Sequence, residues 1–491
     1  QNTHGFCHVC SMLITMYSRY LTNEEFREFI TKEWRLLMSE NKEFLGTEPV
    51  GKLLLKLAVP SVISQIVNML YNIVDRIYIG HIPKTGSLAL TGLGVCMPII
   101  MIISAFAALI GFGGAPRASI FMGKGENDSA EKTLGNCFTT QIIISIILTI
   151  VLLFGNKFFL MAFGASDNTI DFATSYMNIY ALGTIFVQLT LGMNSFVTAQ
   201  GFSKTGMLTV VIGAVCNIIL DPIFIFVLGL GVKGAAIATI ISQGVSCIWV
   251  ISFLTGRKTF LKIKKKYLMP SADVILPCMA LGVSTFVMQA SESVISVCFN
   301  SSLLKYGGDV AVGAMTILTS VMQFAMLPLQ GIGQGAQPVT SYNYGAKNTD
   351  RVKKTFKILI TVSLSYSVIF WALIQMFPSV FAGIFSSDKS LVTFTADALK
   401  IYCGMLFMFG IQIACQMTFV AIGNAICSVI VAVVRKFVLL LPLIYIVPNF
   451  VSNKTNGVYM AEPIADFIAV SFTVIIFSVQ FKKALRKLKE I

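Results

Sequence analysis

Hydrophobic residues along this chain fall into long runs that short polar stretches separate. Twelve runs are about 20 residues or longer, the length that an α-helix needs to cross the roughly 30 Å hydrocarbon core of a bilayer. The runs cover residues 57–80, 88–112, 134–154, 172–198, 206–229, 234–255, 273–299, 310–333, 355–377, 393–420, 426–448 and 458–480. The pattern predicts an all-α polytopic membrane protein with twelve transmembrane helices.

Lysine and arginine are distributed unevenly among the connections between these spans. The connection after the sixth span, RKTFLKIKKK at 257–266, carries six basic residues, whereas each connection after an odd-numbered span carries one. Cytoplasmic loops of membrane proteins are enriched in Lys and Arg. The bias predicts that the even-numbered connections and both termini are cytoplasmic.

The sequence repeats itself once along the chain. Residues 111–133 and 333–355 align without gaps and share eight identities in 23 positions. We call the constant spacing between the aligned positions of the two copies the repeat offset. Six spans separate the copies, so both copies have the same orientation in the membrane. Parallel repeats place a binding cavity between two lobes, and we therefore predict two pseudo-symmetric six-helix bundles.

The repeat divides the chain into five segments. They are an N-terminal extension (1–50), an N-terminal lobe (51–256), a basic cytoplasmic linker (257–271), a C-terminal lobe (272–481) and a basic tail (482–491). In the extension, TNEEFREFITKEWRLL at 22–37 has apolar residues at helical spacing, typical of an amphipathic surface helix, although a tail unrelated to the activity is the preferred interpretation. HGFCHVC at 4–10 contains zinc-ligand residue types, but it lacks a second ligand pair and is better interpreted as a disordered terminus.

Composition excludes several classes of protein. Hydrophobic residues make up 55% of the chain and charged residues 12%, whereas soluble domains carry about 25% charge. The net charge of +14 does not indicate a nucleic-acid partner, because the basic residues lie between spans rather than on one module. The sequence has no phosphate-binding loop and no nucleophile with a spaced histidine, so we expect neither enzymatic activity nor a cofactor.

A carboxylate and a proline interrupt the apolar fifth span, which reads NIILDPIFIF. Asp221 at mid-span costs about 2.5 to 3.5 kcal/mol to insert, so it needs hydrogen-bond donors, a bound cation or its own proton. Asn217 lies one helical turn earlier on the same face, and Pro222 interrupts the helix directly afterwards. We predict a cation site here, and the alternative is a structural Asp that caps a broken helix.

Polar residues also follow one face of the first span. Gln65, Asn68, Asn72 and Asp75 follow one another at spacings of three and four residues, which places them on one helix face. We predict that this helix face lines a cavity and that Asp75 lies at its end. The alternative is an interfacial Asp beside Arg76, whose long side chain reaches the membrane surface.

Further polar residues extend the predicted cavity into other spans. Tyr180 and Gln188 lie in the fourth span, Thr239 in the sixth, and Gln289 in the seventh. Each of them alone also fits an interhelical hydrogen bond. Glu292 is the carboxylate deep in the seventh span, and we predict it as a second cation or substrate site.

Several stretches resemble the multidrug and toxic compound extrusion (MATE) family, in its branch of bacterial DinF-like and MepA-like exporters. They are AVPSVISQIVNMLYNIVDRIYIG in the first span, NIILDPIFIF in the fifth, GVKGAAIATIIS entering the sixth and PLQGIGQGAQPVTSYNYGAKN leaving the eighth. The resemblance implies a V-shaped pair of six-helix bundles in the bacterial cell membrane. It also implies the export of amphipathic organic cations in exchange for H⁺ or Na⁺ by alternating access.

The resemblance also implies roles for individual residues. The family's N-terminal cation site is similar to Asp75, Asn217, Asp221 and Thr239, and its bending proline matches Pro60. With Pro222 this gives two predicted hinges. We expect a monomer in the lipid bilayer whose partners are small-molecule substrates.

Two other functions remain open at this stage. A flippase for lipid-linked saccharides would need several basic residues for anionic diphosphates, whereas the spans offer mainly Asp75, Asp221 and Glu292, with Arg435 and Lys436 as basic exceptions. An intramembrane enzyme or a sensor would use the His/Cys tail for metal. The sequence does not distinguish H⁺ from Na⁺ as the coupling ion.

Overall fold

The computed structural model describes residues 44–83, 85–385 and 388–490 of the 491-residue chain. The predicted surface helix at 22–37 and the HGFCHVC stretch at 4–10 lie outside these residues. A boundary between two compact units falls between Thr47 and Glu48. The first unit contributes the short helix Phe44–Thr47, and the second contains both lobes. Within the described ranges the secondary structure is helical, without strands.

The transmembrane helices match the twelve hydrophobic runs. The described residues include nine helices long and apolar enough to cross a membrane, or eleven spans when each of two bent pairs counts as one. The 74-residue helix Ala272–Gly345 is itself two helices that meet at Gly308, where φ is 65° and ψ is −163°. Each half is longer than the roughly 20 residues that a span requires, so twelve spans result.

We number the spans α1 to α12 in chain order. They are Val50–Gly80, Gly86–Gly123, Asn127–Ala162, Ile170–Leu182 with Thr184–Ala199, Ser203–Val227, Val232–Thr255, 272–307, 309–345, Thr349–Met376, Lys389–Tyr402 with Leu406–Ala421, Ala425–Asn449 and Lys454–Glu490.

Each lobe contains one bent span and one span with a π-helical segment. α4 bends by 57° at Gly183, and α10 bends by 46° between Tyr402 and Leu406. α5 changes from α-helix to a π-helical segment directly after Pro222, and α11 contains a π-helical segment at Val434–Leu440. Proline cannot donate the backbone hydrogen bond of an α-helix, so the turn that precedes Pro222 lacks one of these bonds.

Backbone conformations repeat with the same offset as the sequence. Gly201 and Gly423, which the repeat offset separates, have φ values of 92° and 76°. Gly125 and Lys347 are related in the same way and have φ values of 79° and 58°, although lysine rarely adopts positive φ. The two lobes therefore share their turns as well as their helices.

The two lobes touch closely at the end that carries the basic connections. A Cβ atom on Gly123 would lie 1.9 Å from the carbonyl oxygen of Tyr342, and one on Gly345 would lie 2.0 Å from that of Ile120. The repeat offset also separates Ile120 from Tyr342, so the two contacts are related by the pseudo-two-fold axis. Only glycine permits this approach, and the lobes are closed at this end.

The linker is fixed to the N-terminal lobe by buried amide side chains. The Oε1 atom of Gln200 accepts hydrogen bonds from Thr259 Oγ1 (2.9 Å) and from the backbone N–H groups of Phe260 (2.9 Å) and Leu261 (2.8 Å). Buried polar groups require such partners. The chain therefore enters the C-terminal lobe from a fixed position.

Candidate cation site and inter-lobe cleft

Three of the predicted site residues come together inside the N-terminal lobe. Asn217 Nδ2 donates a hydrogen bond to Asp221 Oδ1 at 3.1 Å, one turn apart on α5. Asp75 on α1 lies beside Asp221, close enough for the two side chains to interact. Asp75 is 8% exposed and Asp221 is fully buried, so the two carboxylates form a pair that bulk water does not reach.

Tyrosines surround this carboxylate pair. Tyr71, one turn before Asp75 on α1, interacts electrostatically with both carboxylates. Tyr176 on α4 lies near Asp75 and forms a side-chain hydrogen bond with Thr239, which brings the fourth predicted residue to the site. The sequence analysis did not assign a role to Tyr71, although its spacing of four residues from Asp75 places it on the same face.

Several oxygen atoms in this cluster have no hydrogen-bond partner among the described residues. They are Asp75 Oδ1, Asn217 Oδ1 and Asp221 Oδ2, and all are buried. Unpartnered buried oxygens are costly, and hard cations prefer oxygen ligands. The donor set fits a small cation or a shared proton.

A small cavity of about 40 Å³ adjoins the cluster and is lined by Asn68, Tyr71, Asn217 and Thr239. We call it the ion cavity. A water molecule occupies about 30 Å³ in the liquid, so the ion cavity has room for one water or a small ion. Asn68 also lines the larger cavity described next, so the two cavities are neighbours on this face of α1.

A cavity of about 290 Å³ lies between the lobes, and we call it the central cavity. The predicted residues Gln65, Asn68 and Gln289 line it. Gln65 Nε2 donates a hydrogen bond to Gln334 Oε1 across the lobe boundary at 3.2 Å. The wall is therefore polar and includes side chains from both lobes.

The other predicted lining residues lie outside both of these cavities. Gln188 is fully buried and its Nε2 donates to the carbonyl oxygen of Ile103 at 2.7 Å, so it joins two helices of one lobe. The ring of Tyr180 stacks on that of Tyr176 in the lobe interior, with centroids 6.0 Å apart. Asn72 Nδ2 donates to the carbonyl oxygen of Asn68 at 2.6 Å.

The two prolines predicted as hinges occupy different surroundings. Pro60 lies inside the continuous helix α1, and Pro222 ends the α-helical part of α5.

A second charged cluster lies in the C-terminal lobe. Arg435 forms ion pairs with Asp466 at 2.8 Å and with Glu462 at 3.2 Å, and Lys436 pairs with Glu292 at 2.7 Å. We call these five residues the C-lobe cluster. The expectation that Asp75, Asp221 and Glu292 are the main intramembrane acids is wrong, because it overlooked Glu462 and Asp466, which are four residues apart on one face of α12.

One member of the C-lobe cluster, Glu462, occupies the position that Thr239 has in the other lobe. Gly234 and Gly457 are equivalent, since a Cβ on either would collide with the backbone of the preceding span, at Phe224 and Pro448. Thr239 lies five residues after Gly234, and Glu462 lies five residues after Gly457. At this equivalent position the N-terminal lobe therefore has an uncharged hydroxyl group and the C-terminal lobe has a carboxylate.

Arg435→Met is expected to destabilise the protein by about 3 to 5 kcal/mol, because it removes the guanidinium that pairs directly with the buried carboxylates of Glu462 and Asp466. Thermal unfolding in detergent measures the effect as a lower midpoint. Lys353→Met, which removes an exposed cation, is the matched control. An unchanged midpoint for Arg435→Met would show that this ion-pair network contributes little to stability.

Two parallel six-helix lobes around a cleft, with carboxylates inside the spans, form the architecture of secondary membrane transporters. A family model described as MatE matches residues 60–223 and 284–446, one match in each lobe and together more than half of the chain. The protein belongs to the MatE family.

Curated relatives and solved structures agree with this family. The chain is 24% identical over 438 residues to a protein named multidrug export protein MepA from Staphylococcus haemolyticus, covering 88% of this chain and 95% of the relative. A protein of the same name from Staphylococcus saprophyticus is 23% identical, with coverage of 84% and 90%.

Among solved structures, MATE in the bent conformation has a TM-score of 0.86 at 23% identity and covers 92% of this chain and 99% of its own. An outward-facing multidrug resistance MATE family transporter of the MOP superfamily has a TM-score of 0.85 at 23% identity, with coverage of 91% and 99%. These matches establish the predicted fold.

Proposed function

We propose that this protein is a multidrug exporter that moves amphipathic organic cations out of a bacterial cell in exchange for H⁺ or Na⁺. The observation that carries the proposal is the buried pair of Asp75 and Asp221, in which each carboxylate has an oxygen without a hydrogen-bond partner among the described residues. Asn217, which bonds to Asp221, lines the small cavity beside the pair. Family membership and the names of the curated relatives support the same function.

The carboxylate pair is the proposed coupling site. Two neighbouring carboxylates cannot both be ionised in an apolar interior without a compensating positive charge. A proton shared between them, or a Na⁺ held with the help of Asn217 and Thr239, supplies that charge. Loss of the cation leaves repelling charges on α1 and α5, and this repulsion favours a different arrangement of the two helices.

Movement of the lobes then changes which side of the membrane the cleft faces. The lobes are closed at the end with the basic connections, and we propose that this end is cytoplasmic, with both termini on that side. The described arrangement would then be open outward. Pro60 and Pro222 are the proposed hinges, and the protein works as a monomer without a cofactor other than its coupling ion.

Glu292 is the proposed second site, for a cation or for substrate. The flippase alternative receives no support from Arg435 and Lys436, because both are paired with acids. They are therefore poorly placed to bind an anionic diphosphate.

Proteoliposomes with a proton gradient and a sodium gradient imposed separately test this function. We expect one of the two gradients to drive ethidium movement above the level of protein-free liposomes. Movement that neither gradient stimulates would exclude cation-coupled export. The gradient that succeeds identifies the coupling ion.

A further inference from the structure

The intramembrane acids of the two lobes differ in the size of cation that can reach them. The Glu292 side chain is 53% exposed, whereas Asp75 is 8% exposed and Asp221 is fully buried. The ion cavity beside the buried pair measures about 40 Å³, and pockets for organic ligands are about 300 Å³ or larger. A drug-sized cation can touch Glu292 and cannot enter the N-terminal site.

Glu292 lies between two cavities of the cleft. Gln289, three residues earlier, lines the central cavity. Ser296, four residues later, lines another inter-lobe cavity of about 660 Å³, whose walls include Arg76 and Met315. Residues at spacings of three and four share a helix face, so Glu292 lies on the face of α7 that borders the cleft, between the residues that line these two cavities.

The partner of Glu292 is a lysine that has other acids close by. The side chain of Lys436 is 5% exposed, and its Nζ lies 2.7 Å from Glu292 Oε1. Lys436 also interacts electrostatically with Glu462 and Asp466, so its ammonium can keep an acidic partner if it leaves Glu292.

The charges of the C-lobe cluster do not balance. Three acids and two bases carry a net charge of −1 when all five are ionised. Uncompensated charge inside a membrane is costly. The cluster can therefore accept one further positive charge, and Glu292 is its member at the surface of the cleft.

We propose that Glu292 binds the cationic group of the transported substrate. Lys436 pairs with Glu292 when no substrate is bound, and the substrate displaces the Lys436 ammonium toward Glu462. This inference rests on the proposed function and assigns the organic cation to the C-terminal lobe and the coupling ion to the N-terminal lobe. Since one negative charge is in excess, the site selects substrates with a single positive charge. A dication would leave the cluster with an excess positive charge while Lys436 remains.

Dye binding to the purified full-length protein, without any gradient, tests the proposal. Ethidium is a monocation, and propidium carries a second positive charge on the same ring system. We expect the unmodified protein to prefer ethidium. Glu292→Gln should weaken ethidium binding by about tenfold or more, the range measured for close charge pairs.

Lys436→Met should strengthen the binding of both dyes, and that of propidium more, because it removes the competing charge. Lys436→Arg keeps the charge and should preserve the preference for ethidium. Lys305→Met removes an exposed cation at the end of α7 and should leave the binding of both dyes unchanged.

Equal binding of the two dyes by the unmodified protein, or no effect of Glu292→Gln, would overturn the proposal. If Lys436→Met does not fold, Glu292→Gln and Lys436→Arg still decide it. The test is separable from the proposed coupling, since it measures binding at equilibrium. Asp128→Asn, which changes an exposed acid outside both sites, should keep ethidium affinity.

Discussion

Asp221→Asn is expected to reduce gradient-driven export to the level of vesicles without the protein, while abundance and folding stay intact. The asparagine side chain has almost the same shape and can still form a hydrogen bond with Asn217, but it can neither release a proton nor carry a negative charge. Uptake of ethidium into everted vesicles under each gradient measures the loss. Thermal unfolding should be unchanged or improved, because a buried acid close to Asp75 is removed.

Asp128→Asn is the matched control for this experiment. Asp128 is an exposed acid at the start of α3, where it accepts a hydrogen bond from the Tyr267 hydroxyl at 2.7 Å, and we expect its replacement to leave transport unchanged. Asp75→Asn should behave like Asp221→Asn, because either change removes one member of the pair. Normal transport by the Asp221 variant would exclude Asp221 from the coupling site.

The sequence predicted the buried acids of the N-terminal lobe because a charge in an apolar run is conspicuous. The sequence identifies Asp221 and Asp75 in this way. The polar line on α1 ends at Asp75, and the structure places this residue beside Asp221 on α5. Glu462 and Asp466 carried the same signal at a spacing of four residues and were overlooked. Tyr71 had no such signal, since a tyrosine is common in a membrane span.

Polar residues without a charge were harder to place from the sequence. The Gln188 amide donates to the backbone carbonyl of Ile103. Every residue type has a backbone carbonyl, so the sequence does not reveal this partner. Only the packing of two helices decides whether such an amide lines a cavity or joins helices. Gln65 and Gln289 have the same chemistry and line the central cavity.

The sequence predicts the twelve spans and the two lobes, but not the bends within spans or the contacts between the lobes. Hydrophobic runs indicated twelve spans, and the alignment of 111–133 with 333–355 indicated two lobes. The bend of 57° at Gly183 leaves no trace in hydropathy. The contact of Gly123 with Tyr342 joins two copies of the repeat, whereas the alignment shows only that both copies contain the glycine.

Gly123→Ala is expected to abolish transport by preventing the lobes from closing at the basic end. The added methyl carbon would lie 1.9 Å from the carbonyl oxygen of Tyr342, whereas non-bonded heavy atoms settle at about 3.5 Å or more. Both atoms belong to helix backbones, so the lobes must separate by roughly the difference of more than 1 Å. The population should then shift toward the state that is open at this end.

Distances between paramagnetic labels attached at Lys124 and Ala346, two exposed positions at the basic end, measure this shift as a longer separation. Gly345→Ala should have the same effect, because its methyl group would meet Ile120 through the equivalent contact at 2.0 Å. Gly51→Ala, in α1, places no atom within 4 Å of the added carbon, and it should transport normally. Unchanged label distances and transport in both Gly123→Ala and Gly345→Ala would mean that the closed basic end is not a required state of the transport cycle.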